Sequence, residues 1–319
     1  MSSGSYAKID KKYYTDWRTV IYKDNLLILD EFINLENKRV YIAIDSAALG
    51  DSIAWIPYAL EFQQKHKCNV VISTFKNFLF EDVYPELDFI KPGDYAGDIY
   101  AKYIIGWFSE DNYHPVAPNT IPLQQTASDI LGLEYKEIKP RITNNFGNEC
   151  GMKDNYNVPG KYVTIATNAT AGCKFWTREG WQEVINFLHS KGYMIVNTSK
   201  EDNPFDNCEK IVDTDIEYTI DCIRQSEFFI GLSSGLSWLA WAIGTPVVMI
   251  SNFTEADHEF SCYRVSDTSI CHGCWNNPKF TFDRGDWDWC PEHKGTDRQF
   301  ECHTKIPASK VISTLTMLL

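Results

Sequence analysis

Hydrophobic residues along this chain alternate between strand-length runs and helical patterns. A β-branched run at residues 40–44 has the length of a buried strand. Gly50 interrupts the pattern, and apolar residues then recur at helical spacing, at Ile53, Ile56 and Leu60. This order predicts a strand, a loop of small residues and a helix, in which Pro57 either introduces a kink or marks a later helix start.

The same alternation continues through both halves of the chain. Further strands are predicted at residues 69–74, 101–108, 161–167, 192–198, 227–232 and 246–251. Helical patterns fall around residues 123–131, 177–190, 215–226 and 235–243. Strands that alternate with helices predict parallel, doubly wound sheets, and two such α/β domains in tandem would face each other across a cleft.

The N-terminal part and one polar stretch suggest where the domains begin and end. Two β-rich runs at residues 15–22 and 26–33 flank Lys23-Asp24-Asn25, which predicts a hairpin that serves as an interaction element. Residues 143–159 are polar and form the best linker candidate. The predicted organisation is a hairpin region at 1–38, a first α/β domain at 39–150, and a second at 151–319 that includes a cysteine-rich segment at 262–302.

Length, charge and cysteine content narrow the class of protein. A chain of 319 residues is long enough for two domains, and its net charge of −13 argues against a nucleic-acid partner. We expect a cytoplasmic protein without a transmembrane segment, because neither a signal-peptide core nor a run of about 18 apolar residues is present. In that compartment, the ten cysteines favour metal binding over a disulfide framework.

Asp51 is the candidate catalytic base. It lies at the start of the predicted helix that follows the strand at residues 40–44, and open α/β sheets bind ligands at the carboxyl ends of their strands. The alternative is that Asp51 serves only as the N-cap of this helix, a position where Asp is common.

Two strand ends in the second half carry residues suited to a diphosphate. Thr170 and Lys174 follow the strand at residues 161–167 and offer a hydroxyl and an ammonium group, although a lysine in a loop is more often simply solvated. Ser233-Ser234-Gly235 follows the strand at residues 227–232 and opens a helix, where unpaired N–H groups bind anions. Serine capping of a tight turn explains the second motif equally well.

Four cysteines near the C-terminus have the spacing of a metal site. Cys271 and Cys274 form a C-x2-C pair, and Cys290 and Cys302 supply two further thiolates for a tetrahedron. Ligand chemistry by itself favours zinc. The alternatives are four free buried cysteines, or substitution of one ligand by a histidine, either His272, His293 or His303.

Three motifs together resemble those of the bacterial heptosyltransferases. The segment LGDSIAWIPYAL resembles their LGD loop and helix, Lys174-Phe-Trp-Thr their K-x-W-P segment, and the Ser-Ser-Gly-Leu-Ser sequence from Ser233 their D-T-G-L-S turn. The sequence SSGLSWLAWAIGTPVVMISNF and the cysteines after it are similar to the autotransporter O-heptosyltransferases in particular. Ser233 stands where lipopolysaccharide heptosyltransferases carry Asp, and Trp238 replaces their His.

The resemblance implies an inverting glycosyltransferase with two Rossmann-like domains in the GT-B arrangement. It implies transfer of heptose from ADP-heptose to a protein serine or a saccharide, with Asp51 as the base. Lys174, Thr170 and the N–H groups from Ser234 through Gly235 to Leu236 would stabilise the departing diphosphate. The resemblance also implies a structural iron ion in the cysteine finger, and a homo-oligomer is one possible assembly.

Two Asp-x-Asp sequences do not indicate a catalytic divalent metal. We interpret Asp213 and Asp215 as the entry to a helix, and Asp286 and Asp288 as solvated residues of the cysteine-rich segment, so no catalytic divalent metal is expected. The alternative function is a non-catalytic binding or scaffold protein that keeps the fold and uses its metal finger for assembly. The joint presence of Asp51, Lys174 and the Ser-Ser-Gly turn argues against it.

Overall fold

The computed structural model describes residues 10–108, 110–144, 161–211, 215–283 and 285–319. Two compact units are distinguished: unit 1 comprises the described residues of Met1–Ala47 and Ala54–Ile138, and unit 2 those of Ala48–Ile53 and Lys139–Leu319. The predicted domain boundary after residue 150 and most of the predicted linker lie outside the described residues, as does Asp213.

Unit 1 begins with the predicted hairpin. Strands β1 (Arg18–Lys23) and β2 (Leu26–Phe32) pair antiparallel. The two turn residues, Asp24 and Asn25, both adopt left-handed conformations with φ of 50° and 62°, as a two-residue hairpin turn requires. The hairpin leaves large apolar side chains exposed on both strands: Val20, Ile21, Tyr22, Leu26, Leu27, Ile28 and Phe32.

The rest of unit 1 is a parallel sheet with helices. Its elements are β3 (Arg39–Ile44), α1 (Leu49–His66), β4 (Asn69–Ser73), β5 (Asp88–Ile90), β6 (Ala101–Ile105) and α2 (Leu123–Ile130). The strand order is β5-β4-β3-β6, and all neighbouring pairs are parallel. Helix α1 runs continuously through Pro57, so Pro57 does not mark its start.

The core of unit 1 forms because α1 carries large apolar side chains onto the sheet. Trp55, Tyr58 and Phe62 are fully buried, as are the inward-facing residues of β3. The indole N–H of Trp55 donates a 2.7 Å hydrogen bond to the carbonyl of Leu123, which ties α2 to α1. The central strand and helix of this unit therefore form as their hydrophobic pattern predicts.

Unit 2 is a second parallel sheet with more strands. Its elements are β7 (Tyr162–Ile165), α3 (Arg178–Ser190), β8 (Met194–Asn197), β9 (Glu209–Lys210), α4 (Ile216–Arg224), β10 (Phe229–Leu232), α5 (Gly235–Ile243), β11 (Val247–Ile250), β12 (Tyr263–Val265), α6 (Glu301–Thr304) and α7 (Ala308–Thr316). The strand order is β12-β11-β10-β7-β8-β9, and every residue of β7, β10 and β11 is buried.

The structure confirms the predicted α/β class, with parallel sheets and an N-terminal hairpin. Strands β5, β9 and β12 and the two C-terminal helices were not predicted. The three strands and α6 are only two to four residues long, too short to show a hydrophobic period, whereas α7 does carry buried apolar residues at helical spacing, Val311 and Leu315. Within the described ranges, the helices fall short of the length and apolarity needed to cross a bilayer.

Candidate functional site

The predicted site residues of unit 2 gather at the carboxyl ends of two adjacent strands. β7 and β10 are neighbours in the sheet, so the loop after β7 and the turn after β10 leave the same edge. The loop contains Thr170, which is exposed, and ends in a short 3-10 turn at Gly172–Lys174. The turn contains Ser233 and Ser234 and leads directly into α5.

The first turn of α1 packs against the start of α5 within unit 2. A Cβ atom placed on Gly50 would lie 3.1 Å from Cδ1 of Trp238 and 3.5 Å from Cα of Gly235. A Cβ atom on Gly235 would lie 3.0 Å from Cβ of Leu49. Both glycines therefore lie in tight contacts, Gly50 mainly with the Trp238 side chain and Gly235 with Leu49, and Asp51 is brought to the edge where β10 ends.

Asp51 is the third residue of α1, inside its first turn, rather than the residue before the helix. Its side chain is largely buried, with 8% exposure. Its negative charge acts on the ammonium group of Lys174. The structure thus brings the candidate base close enough to the candidate phosphate-binding lysine for their charges to interact.

The N-terminus of α5 presents backbone N–H groups rather than a serine cap. Ser234 occupies the N-cap position, yet its side chain makes no capping hydrogen bond, and its buried hydroxyl has no hydrogen-bond partner. The N–H groups of Gly235 and Leu236 lie in the first turn, where a helix offers them no carbonyl four residues earlier. These donors and the helix dipole favour an anion at this position.

Lys174 lies across the strand ends and is not a freely solvated lysine. Its Nζ donates a 3.0 Å hydrogen bond to the carbonyl of Ser233 and lies 5.3 Å from the centre of the Phe253 ring. Burial lowers the pKa of Lys174, while the carboxylates of Glu259 and Asp51 oppose this shift. The ammonium group is therefore held in a fixed, partly desolvated position beside the start of α5.

A buried ion pair beneath Ser233 was not anticipated from the sequence. Ser233 donates a 2.5 Å hydrogen bond to Glu259, which also accepts from Thr254 at 2.8 Å and forms a 2.6 Å ion pair with Arg264. Burial alone would raise the pKa of Glu259, but the guanidinium of Arg264, together with other neighbours, outweighs it and lowers this pKa. We refer to Asp51, Lys174, Ser233, Glu259 and Arg264 as the charge cluster.

The four predicted metal ligands share one cavity. Cys271, Cys274, Cys290 and Cys302 all line it, and so does a fifth cysteine, Cys173. We refer to this as the thiol cavity. None of these cysteines is in a disulfide bond.

The thiols of the cavity suit a bound cation. Burial raises the pKa of Cys302 to about 12, and the neighbouring thiols of Cys271 and Cys290 add to this effect. Burial and the adjacent Cys271 likewise raise the pKa of Cys274. Thiolates so close together are unfavourable by themselves, whereas a metal ion would offset their mutual repulsion. The donor set therefore fits a thiolate-bound ion.

Two other side chains reach the same cavity. The ligand atoms of Cys271, His293 and Glu301 lie within 4.8 Å of one another. His293 is one of the histidines considered as a substitute ligand from the sequence, whereas Glu301 was not anticipated. Glu301 also accepts a 2.9 Å hydrogen bond from Arg298, so this carboxylate already has a cationic partner.

The cysteine-rich segment packs directly on the loop that carries Lys174. The N–H of Cys173 donates a 3.3 Å hydrogen bond to the carbonyl of Trp287, and a Cβ atom on Gly172 would clash with the carboxylate of Asp288. Asp288 is exposed, as expected of a solvated residue, and its carboxylate also lies close to this glycine. An apolar cluster joins the same two regions through buried residues: Ala171, Cys173, Phe253, Cys274 and Trp289.

Comparisons with known proteins identify the family of this chain. A family model for glycosyltransferase family 9 (heptosyltransferase) matches residues 110–284. The autotransporter heptosyltransferase Aah of Escherichia coli is 36% identical over 97% of this chain and 82% of its own length. The inactive autotransporter heptosyltransferase BimC of Burkholderia thailandensis is 31% identical over 96% of this chain and 74% of its own.

A solved structure is similar over nearly the whole chain. The iron-containing dodecameric glycosyltransferase TibC of enterotoxigenic E. coli H10407 is 32% identical, with a TM-score of 0.89 over 98% of this chain and 87% of TibC. TibC in complex with ADP-D-β-D-heptose gives a TM-score of 0.88, over 98% of this chain and 86% of that one.

Proposed function

This chain belongs to glycosyltransferase family 9, the heptosyltransferases, and is a glycosyltransferase; we propose that it transfers heptose from ADP-heptose to a hydroxyl acceptor with inversion at the anomeric carbon. Support for this donor comes from the TibC complex with ADP-D-β-D-heptose and from the charge cluster of unit 2. We further propose that unit 2 binds the nucleotide-sugar and that unit 1 contributes to acceptor binding.

One observation carries the proposal. The ammonium of Lys174 is fixed 3.0 Å from the carbonyl of Ser233, beside the N-terminus of α5, and the carboxylate of Asp51 lies in the same electrostatic neighbourhood. A cation and a helix N-terminus together suit a diphosphate, while a nearby carboxylate suits removal of a proton. This combination matches what glycosyl transfer from a nucleoside diphosphate donor needs.

In the proposed reaction, Asp51 accepts the proton of the acceptor hydroxyl. The acceptor oxygen forms a bond to the anomeric carbon as the bond from that carbon to the diphosphate oxygen breaks. The leaving ADP gains negative charge, which Lys174 and the N–H groups of Gly235 and Leu236 stabilise. Thr170 lies on the loop after β7 and is proposed to contact the same diphosphate. A single displacement of this kind inverts the configuration.

The acceptor is proposed to be a serine hydroxyl of a protein, with a saccharide as the alternative. The likeness to autotransporter heptosyltransferases supports the protein acceptor. The experiment is to incubate the enzyme with a panel of nucleotide-sugars and candidate acceptor proteins and to measure the mass of the products. A mass increase of one heptose on a serine peptide, with ADP-heptose only, is expected. Transfer of a hexose instead would overturn the donor assignment.

We propose that Cys271, Cys274, Cys290 and Cys302 hold one iron ion, with zinc as the alternative. TibC is described as iron-containing, and the thiol cavity has the donors for such an ion. When bound, the ion supplies cross-links between stretches of a segment that has few backbone hydrogen-bonded elements of its own. Elemental analysis of the purified protein distinguishes iron from zinc.

We also propose a homo-oligomer in which the N-terminal hairpin makes contacts. Its strands are exposed and carry large apolar side chains such as Tyr22, Leu26 and Phe32, and TibC is dodecameric. Light scattering of the intact protein and of a variant with Tyr22→Asp and Leu26→Asp tests this. A monomeric wild-type protein would contradict it.

A non-catalytic scaffold is the alternative to which the proposed activity is compared. The similarity to BimC, which is described as inactive, shows that a protein with this overall similarity can lack activity. The same product analysis separates the two, because a scaffold would give no transfer with any donor. The presence of Asp51, Lys174 and the Ser-Ser-Gly turn at one sheet edge favours the enzyme.

A further inference from the structure

The aromatic ring of Phe253 lies beside the ammonium group of Lys174. The distance from Nζ to the ring centre is 5.3 Å, within the range of a cation–π interaction. Phe253 follows β11 and is buried, with 3% exposure. The ring and the carbonyl of Ser233 are thus two neutral groups that contact the same cation.

The cysteine-rich segment holds this ring in place. Trp275 and Trp289 pack against it, with centroid distances of 5.8 Å and 5.9 Å. The backbone N–H of Trp275 also donates a 3.2 Å hydrogen bond to the carbonyl of Phe253. Because the ring is packed by two indoles and its backbone is fixed, it presents a defined surface to Lys174.

A neutral ring is chemically suited to this position. Burial removes water from the ammonium group of Lys174, and the negative face of an aromatic ring replaces part of the lost hydration. A carboxylate in direct contact would do the same but would also compete with an incoming diphosphate for the cation. An aromatic face leaves the charge of the lysine available to the ligand.

We propose that Phe253 is a positioning residue that seats the ammonium of Lys174 for contact with the donor diphosphate. This inference rests on the proposed function, since it assumes that Lys174 binds the diphosphate of the donor. It adds that the lysine stays on the ring when the ligand is bound. The cysteine-rich segment then contributes to donor binding through the orientation of one side chain.

The test replaces Phe253 by phenylalanines with one, two and three ring fluorines in the full-length protein. Fluorination weakens the negative face of the ring with little change in shape. ADP affinity is measured by calorimetry. We expect ADP affinity to fall with each added fluorine, by roughly 2- to 30-fold in total, which is the range of a cation–π contact.

Three comparisons make the result decisive. The same fluorinated residues at Phe280, which packs on Trp289 in the same aromatic cluster, serve as the matched control and should leave ADP affinity unchanged. In the Lys174→Met variant, fluorination of Phe253 should leave ADP affinity unchanged, because no ammonium group then faces the ring. The four proteins together form a double-mutant cycle. Lys174→Ala provides the reference for the proposed function.

Each outcome separates the two hypotheses. If Lys174→Ala leaves ADP affinity unchanged, the assignment of the diphosphate site is wrong. If Lys174→Ala weakens binding but fluorination of Phe253 has no effect, the role of Phe253 is wrong. Tighter binding on fluorination would also overturn it, because the lysine would then leave the ring to reach the ligand. An equal loss at Phe280 would indicate general packing and contradict the proposal.

Discussion

The charge cluster and the thiol cavity meet on one loop of unit 2 but have different surroundings. Cys173 lines the thiol cavity, while the next residue, Lys174, reaches the carbonyl of Ser233. Aromatic side chains enclose the cavity, among them Trp289 and Phe300. The charge cluster instead lies where strands end and a helix begins, and no side chain caps the first N–H groups of that helix.

This difference indicates that the thiol cavity contributes to the stability of the fold, whereas the charge cluster contributes to ligand binding. Thiolates that bind a buried ion have no capacity left for a ligand. Their interaction with the ion contributes mainly to the stability of the fold. Groups placed at strand ends and a helix N-terminus have binding capacity left for a ligand. Substitutions in the thiol cavity should therefore lower stability, whereas substitutions of Asp51 or Lys174 should lower activity or donor binding while the fold remains.

The largest effect is expected from loss of a thiol ligand. Cys290→Ser should lower metal content, solubility and melting temperature together, because metal binding in structural sites contributes about 10 kcal/mol or more to folding. Elemental analysis and calorimetry of the same sample check this. Cys208→Ser, a change of a cysteine outside the cavity, is the control. A stable, fully metallated and inactive Cys290→Ser protein would show that the ion is catalytic rather than structural.

Asp51 tests the catalytic side of the comparison. Asp51→Ala should reduce the transfer rate by about 10²- to 10⁴-fold, the usual contribution of a positioned base. ADP affinity and melting temperature should stay close to those of the wild type. The near-isosteric Asp51→Asn variant should lose as much activity, since it also lacks the basic oxygen. A rate close to that of the wild type in either variant would remove Asp51 from the mechanism.

Glu259 belongs to the charge cluster but should behave as a structural residue. Glu259→Gln leaves Arg264 buried without its charged partner, so the free energy of unfolding should fall by about 3–5 kcal/mol. Chemical denaturation measures this. A double variant, Glu259→Gln with Arg264→Met, should recover most of the loss because it buries no unpaired charge. Wild-type stability in the single variant would show that the ion pair is weak.

Lys174→Ala should weaken ADP binding by roughly tenfold or more, because a hydrogen bond from a charged group to the phosphate is lost. High salt should weaken binding to the wild type in the same direction. Lys191 is a matched control, since its ammonium lies over the Phe187 ring at 5.5 Å on an exposed part of the same unit. Lys191→Ala should leave the affinity unchanged. Equal losses in both variants would indicate a nonspecific charge effect.

The smallest effect expected is a pH dependence of donor affinity. Burial lowers the pKa of Lys174, so the ammonium group loses its proton at a lower pH than an ordinary lysine, whose pKa is about 10.4. ADP affinity should therefore fall as the pH rises through this lowered pKa, because the neutral amine no longer attracts the diphosphate. Glu259, Asp51 and Cys173 face the same lysine and oppose the shift. Calorimetry across alkaline pH measures the loss, and Lys174→Arg should abolish it because a guanidinium stays charged.

Sequence patterns located most elements of both sheets. The buried strands β3, β7, β10 and β11 are continuous apolar runs, and such runs need no knowledge of neighbours to be recognised. The hairpin turn was also predictable, because Asp and Asn readily adopt the left-handed conformation found at Asp24 and Asn25. The strands β5, β9 and β12 and the one-turn helix α6 were missed, since segments of two to four residues show no hydrophobic period. Helix α7 was missed although Val311 and Leu315 have helical spacing.

Sequence spacing indicated one part of the candidate site, the cysteines, but not the contacts around Ser233 and Lys174. The spacing of Cys271 and Cys274 already indicated that the two thiols could bind one metal ion. The four cysteines do line one cavity. Nothing local indicated that Glu259 would accept a hydrogen bond from Ser233, because the two residues lie in different loops, 26 positions apart. Nor did the sequence place Phe253 beside Lys174, since either residue alone has many ordinary roles.

The sequence by itself therefore determined the alternation of strands and helices and the hairpin turn, and it predicted the four thiol donors, because these depend on periodicity, backbone preference and the chemistry of single residues. Only the tertiary structure decided that Gly50 packs against Gly235, that the half-buried Lys174 lies between a carbonyl and a ring, and that the charge of Asp51 acts on this lysine. Those features depend on which loops the parallel sheet brings to one edge. That proximity is set by strand order, which no local pattern contains.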